Sequence, residues 1–188
     1  MRRWHFIDMR LFGLTTLLLW VVGCASGVKL NTQVPAGFNL TGHWTLVPEL
    51  SDEAPDPRKL QASSDRKELK RRKVLSRDRV QVGSLMFITH DFPVLLAERM
   101  VIEQNADSMG IEYDRGGYRD VSWGKRNREL WEVYTGWEQG NLVIVSRGHN
   151  AETRETMRLD DNGRLLVIDV QVDADGEKVS VVRVFRRR

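Results

Sequence analysis

The sequence predicts an all-β protein, an antiparallel up-and-down meander of about eight or nine strands that closes into a barrel, with one peripheral basic helix or loop. From residue 92 onward, short runs of β-forming residues are separated by turn signals at close spacing. Asn-Gly and Asp-Gly are typical of hairpin turns because they accept the positive φ that tight turns need. Strands and helices do not alternate, which argues against a parallel nucleotide-binding sheet. A long antiparallel sheet tends to close because closure removes exposed edges. A curved open sheet covered by the basic segment is the alternative.

Residues 1–23 have the composition of a secretory signal peptide. The first ten residues contain three arginines and one aspartate, and the next thirteen, Leu11 to Gly23, carry no charge and are rich in Leu and Val. A helix that crosses a bilayer needs roughly 20 apolar residues, so this run is too short to remain as a membrane span. We therefore expect it to be removed after export.

The apolar run ends on Cys24, the only cysteine of the chain. The sequence Val21-Val22-Gly23-Cys24 resembles the bacterial lipobox. That resemblance implies a thioether-linked diacylglycerol on Cys24, cleavage before it and an acyl chain on the freed amine. These palmitate-type chains would anchor the protein in the cell envelope, since each buried methylene contributes about 0.8 kcal/mol. Ala25 after the cysteine resembles the sorting pattern for the outer membrane, which implies its inner leaflet, facing the periplasm.

The mature chain is expected to be a short tether followed by one domain. Residues 24–37 are small and polar, which is typical of a lipidated tether, and the single β-barrel-like domain is predicted to span residues 38–188. Without residues 1–23 the chain keeps 26 basic and 25 acidic residues, so its pI of about 9.2 says little about partners. No second cysteine is available for a disulfide, so stability must come from packing.

A charged insertion, residues 48–79, is predicted after a first strand at 39–47. Its second part, residues 58–79, contains ten basic residues against three acidic ones. The run from Arg66 to Lys73, RKELKRRK, would suggest nucleic acid in a cytosolic protein, but the predicted export argues against that partner. In the envelope it could meet anionic lipid headgroups or an acidic protein, and a solvated helix or loop explains it equally well.

Eight further strands are predicted in the remainder of the chain. Their predicted ranges are 98–104, 109–114, 118–123, 129–137, 142–147, 152–159, 165–172 and 178–185. Segments such as Asn-Ala-Asp, Arg-Gly-Gly, Gly-Lys-Arg-Asn and Asp-Asp-Asn-Gly separate them and are typical turn sequences.

Gly42-His43-Trp44, near the start of the first strand, resembles the G-x-W signature of the lipocalin and calycin superfamily. The resemblance implies a lipocalin-like barrel in which Trp44 plugs the floor and a basic residue of the last strand packs over its ring. Arg183, with Arg186 as the other candidate, is expected to make this cation–π contact. A tryptophan that simply fills a β-core would explain Trp44 as well.

The strand predicted over 129–137 presents one apolar face. Trp131, Val133, Thr135 and Trp137 share that face because side chains alternate along a strand. We expect Trp131 and Trp137, together with Met157 of a later strand, to line a cavity for a hydrophobic molecule. Ordinary core packing is the alternative use of such a face.

Glu155 is the polar residue that is predicted to face the interior. It shares the phase of Thr153, Met157 and Leu159 in its strand. A buried carboxylate needs a partner, and Arg99 or Arg183 could supply it, either to orient a ligand or as a structural pair. A solvated glutamate at the barrel mouth is the other interpretation.

Metal and catalytic signatures are missing from the sequence. His43, His90 and His149 of the mature chain lack the spacing of zinc motifs, and Asp173-Ala174-Asp175-Gly176 lacks the glutamate that would close a calcium loop. The chain also has neither a G-x-S-x-G elbow nor a phosphate-binding loop. We therefore expect a protein that is not an enzyme and has no metal and no cofactor beyond the acyl groups on Cys24.

Two functions follow from these patterns. The first is a lipid-anchored envelope lipoprotein whose lipocalin-like barrel binds a hydrophobic small molecule. The second is a non-enzymatic interaction or structural lipoprotein with a filled barrel. The presence or absence of an interior cavity of a few hundred Å³ distinguishes them.

Overall fold

A computed structural model describes residues 27–56, 91–128, 131–148, 151–160, 162–174 and 177–188. Ten strands account for most of these residues. They are β1 (Gly42–Leu46), β2 (Arg99–Gln104), β3 (Ser108–Tyr113), β4 (Tyr118–Ser122), β5 (Gly124–Arg128), β6 (Trp131–Glu138), β7 (Asn141–Arg147), β8 (Ala151–Leu159), β9 (Leu165–Ala174) and β10 (Glu177–Arg187). Two short 3₁₀ turns, Pro48–Leu50 and Pro93–Leu95, accompany them.

The ten strands form one antiparallel sheet in the order β4-β3-β2-β1-β10-β9-β8-β7-β6-β5. Strands that follow each other in sequence are neighbours except for β4 and β5, and β1 pairs with β10, so the first and last of these strands are joined. The sheet curls into a nearly closed barrel whose two edge strands, β4 and β5, follow each other in sequence without pairing. The predicted all-β antiparallel meander is therefore confirmed.

Strand β5 is the element that the sequence pattern missed. It consists of Gly124, Lys125, Arg126, Asn127 and Arg128, and residues 125–128 are exposed. A strand that is polar on both faces lacks the alternation by which strands are recognised, and its first four residues, Gly-Lys-Arg-Asn, are typical of a turn. It forms because Trp131 to Thr135 of β6 provides a ladder for it.

One end of the barrel, the end where β1 starts, is closed by the segment before β1. The backbone N–H of Leu40 donates to Gln104 at the end of β2, and Phe38 packs edge-on against Trp137 of β6, with ring centroids 6.0 Å apart. Because β2 and β6 lie on opposite sides of the sheet order, residues 38–40 must cross this end. Trp44 Nε1 donates to the Leu40 carbonyl over 2.8 Å and fixes the crossing.

The basic residue over Trp44 is Arg187 and not Arg183. The Arg187 guanidinium lies 4.6 Å from the centroid of the Trp44 ring, and the two residues are direct partners in the β1–β10 ladder. Arg183 shares their face of β10 but lies four residues towards the other end, where it donates to the carbonyls of Asp52 and Ala97. Arg186, the other candidate, is exposed on the opposite face of β10, and the register decides which arginine meets the ring.

Part of the predicted tether packs on the barrel. Asn31 pairs with Trp137 through two backbone hydrogen bonds of 3.0 and 2.7 Å, beyond the point where β5 leaves β6. Gly136 permits this approach, since a Cβ built on it would lie 2.4 Å from the Asn31 carbonyl oxygen. Residues before 27 lie outside the described part of the chain.

The start of the charged insertion is attached to β10. Asp52 exchanges hydrogen bonds with the backbone of Val182, and Ser51 does so with Val184. Residues 57–90, with the basic run from Arg66 to Lys73, lie outside the described ranges. Within those ranges, no helix is both long and apolar enough to cross a membrane.

Candidate ligand-binding cavity

The end of the barrel opposite Trp44 contains a cavity of about 740 Å³. It lies between the hairpin of β3 and β4, the edge strand β5, the first half of β6 and the 3₁₀ turn Pro93–Leu95. Its lining side chains include Phe92, Pro93, Leu96, Tyr113, Arg119, Val121, Arg126, Arg128, Trp131, Val133, Thr135, Ile144 and Ser146. The cavity therefore adjoins the gap at which β4 and β5 separate.

Strand alternation places the lining residues of β6 and β7. Trp131, Val133 and Thr135 are alternate residues of β6, share one face of the strand and all line the cavity. Ile144 and Ser146 are alternate residues of β7 and also line the cavity. Each strand thus contributes apolar groups together with one hydroxyl.

An ion pair between Arg119 and Glu155 crosses the interior beside the cavity. Both terminal nitrogens of Arg119 donate to the Glu155 carboxylate, each over 2.7 Å, and Glu155 is fully buried. Arg119 lies on β4 and Glu155 on β8, which are separated by six places in the sheet order. The pair therefore joins the β4 edge to the far wall of the barrel.

Glu155 faces the interior, as its phase in β8 predicted, but its partner is neither Arg99 nor Arg183. It also does not reach solvent, contrary to the interpretation of a glutamate at the barrel mouth. Arg119 was missed, although it alternates with exposed Tyr118 and Asp120 and shares the phase of buried Val121. That alternation was the signal that could have identified it.

The ion pair also sets the electrostatics of this region. Burial acts to lower the pKa of Arg119, but the Glu155 carboxylate outweighs burial and raises that pKa above its ordinary value. Burial raises the pKa of the Tyr113 hydroxyl to about 12, with the positive charge of Arg119 opposing part of the effect. At neutral pH Arg119 is thus charged and Tyr113 neutral.

The lining contains two buried hydroxyl groups. That of Thr135 has no hydrogen-bond partner among the described residues, and that of Tyr113 interacts with the Arg119 guanidinium without the geometry of a normal hydrogen bond. Both residues are at most 4 % exposed. Buried polar groups are nearly always paired, so these two hydroxyls are available to form hydrogen bonds with a bound molecule.

The cavity mouth combines aromatic and charged groups. Phe92 and Trp131 make an edge-to-face contact with centroids 6.5 Å apart, and Trp131 Nε1 donates to Asp91. Arg126 and Arg128 of β5 reach the lining from the exposed edge. The mouth is thus more polar and more cationic than the interior.

Of the four residues predicted to bind a ligand, Trp131 lines the cavity and the other three do not. Met157 and Trp137 are buried in the filled half of the barrel towards Trp44, where Trp137 packs against Trp123 with centroids 4.7 Å apart. Glu155 lies behind Arg119. All four face inward, but alternation does not specify the depth along the barrel at which the packing ends and the cavity starts.

No group of three or more His, Cys, Asp or Glu residues in the described ranges is arranged to hold a metal ion. The absence of metal from the site stays a prediction of the sequence.

The fold and cavity define this chain as a ten-stranded antiparallel barrel with an interior site at one end. No protein-family model and no curated protein matches it. Solved structures with a similar fold include the fluorescent protein UnaG, with 18 % identity over 79 % of this chain and 97 % of that chain and a TM-score of 0.47.

Two further solved structures are similar in the same way. The fatty-acid-binding protein 1 of Echinococcus granulosus shares 14 % identity over 79 % of this chain and 96 % of its own, with a TM-score of 0.45. A luciferase domain from the dinoflagellate Lingulodinium polyedrum shares 13 % identity over 86 % of this chain and 46 % of its own, with a TM-score of 0.46. Similarity at this level concerns the fold alone, so the chemistry of the site must come from its own residues.

Proposed function

We propose that this protein is a lipid-anchored lipoprotein of the bacterial cell envelope whose barrel binds one hydrophobic small molecule without catalysing a reaction. The cavity of about 740 Å³ is the observation that carries the binding function. Its size is within the range of roughly 300–1,000 Å³ that small-molecule sites occupy. A filled barrel, which the alternative interaction protein would have, does not agree with a cavity of this size.

The composition of the wall supports an apolar ligand. Phe92, Val121, Val133 and Ile144 present hydrocarbon to the cavity. Each Å² of apolar surface that a ligand buries there contributes about 25 cal/mol. The hydroxyls of Tyr113 and Thr135 can orient one polar group of such a ligand.

The anchor and the location rest on the leader and the lipobox-like sequence at Cys24. Diacylglycerol on the sulfur and an acyl chain on the amine would hold the protein at the inner leaflet of the outer membrane. The segment between Cys24 and the barrel would keep the barrel near that surface. A binding module there could exchange apolar molecules with the membrane.

Native mass spectrometry of the protein purified from its own envelope tests the binding function. We expect a co-purifying hydrophobic species whose occupancy falls in Trp131→Ala and is kept in Trp131→Phe, which preserves an aromatic ring against Phe92. Repeated isolation of the bare wild-type chain, with no change in tryptophan fluorescence on titration with apolar probes, would contradict the proposal.

Metabolic labelling with palmitate tests the anchor. The wild type should be labelled, and Cys24→Ser should lose the label and accumulate as the longer precursor. Equal labelling of the two proteins would overturn the lipoprotein assignment. Sedimentation with inner-membrane markers in a sucrose gradient would contradict the outer-membrane location alone.

A further inference from the structure

The inner wall of the cavity already contains a matched pair of charges. Arg119 lines the cavity, and both of its terminal nitrogens are engaged by the two carboxylate oxygens of Glu155. A bidentate pair of this kind satisfies the charge of each partner. The innermost part of the site therefore has no unbalanced positive charge to offer.

A ligand that carried an anion to this depth would be poorly accommodated. It would either displace Glu155 from Arg119, which leaves a fully buried carboxylate unpaired, or bury its own charge without a partner. Both arrangements are strongly unfavourable, because an ion removed from water needs a counter-charge.

The hydroxyls of Tyr113 and Thr135 can form hydrogen bonds with uncharged groups of a ligand. The Thr135 hydroxyl has no partner among the described residues, and the Tyr113 hydroxyl interacts with Arg119 without a hydrogen bond of normal geometry. Each hydroxyl can donate one hydrogen bond and accept others. A hydroxyl, ester or amide carbonyl on a ligand would satisfy them without changing the charge of the site.

We infer that the ligand is an apolar molecule whose buried end carries an uncharged hydrogen-bonding group, and that a free carboxylate is disfavoured at this position. The inference rests on the proposed binding function, which it makes more specific. Tyr113 and Thr135 hold the polar group, and the Arg119–Glu155 pair excludes an anion.

The charged residues at the cavity mouth allow a second orientation of an anionic ligand, with its charged group at the mouth. Arg126 and Arg128 line the outer part of the cavity, together with Arg115, Asp91 and Asp120. Arg115 is paired with Glu98 over 2.5 Å. An anionic ligand bound in the reverse orientation would place its charged group near Arg126 and Arg128, and the experiment must separate this orientation from the inferred one.

Calorimetric titration of the mature protein with decanol and with decanoate near neutral pH tests the inference. The two probes share their chain length and differ in the charge of the head. We expect decanol to bind at least about tenfold more tightly, a difference of about 1.4 kcal/mol. If neither probe binds, the proposed function fails, and the inference falls with it.

Glu155→Gln removes the balancing charge and keeps the shape of the side chain. Decanoate affinity should rise about tenfold in this variant, while decanol affinity changes by less than about threefold. Glu152→Gln, an exposed position of the same strand, is the matched control and should leave both affinities unchanged.

Equal or tighter binding of decanoate by the wild type would overturn the inference. If that binding also weakened in the Arg126→Gln/Arg128→Gln variant, the anion would lie at the mouth. If it did not weaken there, the anion would lie beside Arg119. The wild-type comparison decides the question even where Glu155→Gln does not fold.

Discussion

Arg119 and Glu155 are the two residues whose environment departs most from that of an ordinary barrel core. Both are buried, and their contact spans the interior between strands that are not neighbours. Breaking such a pair leaves an uncompensated charge, whereas replacing both partners by apolar groups removes the problem. The net contribution of the pair to stability is therefore small compared with the cost of removing one partner alone.

Single and double substitutions measure this property. Arg119→Met should lower the free energy of unfolding by about 3–5 kcal/mol, because Glu155 is left buried and unpaired. Arg119→Met/Glu155→Leu should be more stable than that single variant. Urea denaturation gives the values, and Arg147→Met, which breaks an exposed ion pair with Glu152, is the control and should cost at most about 1 kcal/mol. A double variant that is less stable than Arg119→Met would contradict this account.

The raised pKa of Tyr113 predicts that the folding stability of the protein falls at alkaline pH. Its pKa is raised from 10.0 to about 12 because the neutral form is favoured by burial, so the unfolded chain loses its proton first as the pH rises. Keeping the Tyr113 hydroxyl neutral contributes about 2–3 kcal/mol to the free energy of unfolding. This contribution is complete below pH 10 and is lost between about pH 10 and 12.

Tyr113→Phe should therefore flatten the fall in stability over that interval. At neutral pH it should change the free energy of unfolding by at most about 1 kcal/mol, since the lost hydroxyl makes no hydrogen bond of normal geometry. Denaturation series for the two proteins provide the comparison. An unchanged alkaline slope in the variant would show that Tyr113 does not cause it.

At the scale of elements, the edge of β6 shows how one strand is shared by two partners. β5 pairs with the first half of β6, and Asn31 takes the following position at Trp137. Leu30 and Asn31 can approach because position 136 has no side chain. The segment before β1 therefore protects a part of the edge that β5 leaves open, as sheets generally require.

Gly136→Ala tests this attachment. The added Cβ would lie 2.4 Å from the Asn31 carbonyl oxygen and 2.8 Å from Leu30 Cβ, so the segment must move away. Hydrogen exchange at the amides of Asn31 and Trp137 should accelerate. The loss of their two hydrogen bonds should lower the free energy of unfolding by about 1–2 kcal/mol. Gly117→Ala, whose Cβ would make only an ordinary 3.5 Å contact with Pro93, should leave both amides protected. Unchanged exchange in Gly136→Ala would argue against the pairing.

At the scale of the whole molecule, the barrel is divided into a packed half and an open half. Trp44, Trp137 and Met157 are buried in the packed half, and the cavity occupies the other, next to the separation of β4 and β5. Stability and binding should therefore depend on different residues of the same interior face.

Two tryptophans of β6 make this division measurable. Trp137→Ala should lower the free energy of unfolding by about 3–5 kcal/mol, because it empties a packed site. Trp131→Ala, at a half-buried position of the cavity wall, should lower the free energy of unfolding less than Trp137→Ala does and should weaken decanol binding more than Trp137→Ala does. Urea denaturation and calorimetry on both variants provide the test, and the reverse ranking would mean that the two halves are not distinct.

The sequence predicted nine strands and the inward faces of β6 and β8, but not β5 or the tertiary partners. Turn residues and alternation are local properties, so they identified nine of the ten strands and the interior phase of Trp131 and Glu155. β5 was missed because its exposed, basic residues have no alternation, and it becomes a strand only through its pairing with β6.

The sequence by itself determined the antiparallel β-class and the inward faces of β6 and β8, because φ/ψ preferences and side-chain alternation act between neighbours in the chain. Only the tertiary structure decided that Arg187 meets Trp44, that Arg119 meets Glu155, and that the interior is open at one end. These contacts join residues more than thirty positions apart, and they depend on the register and curvature with which the whole sheet closes.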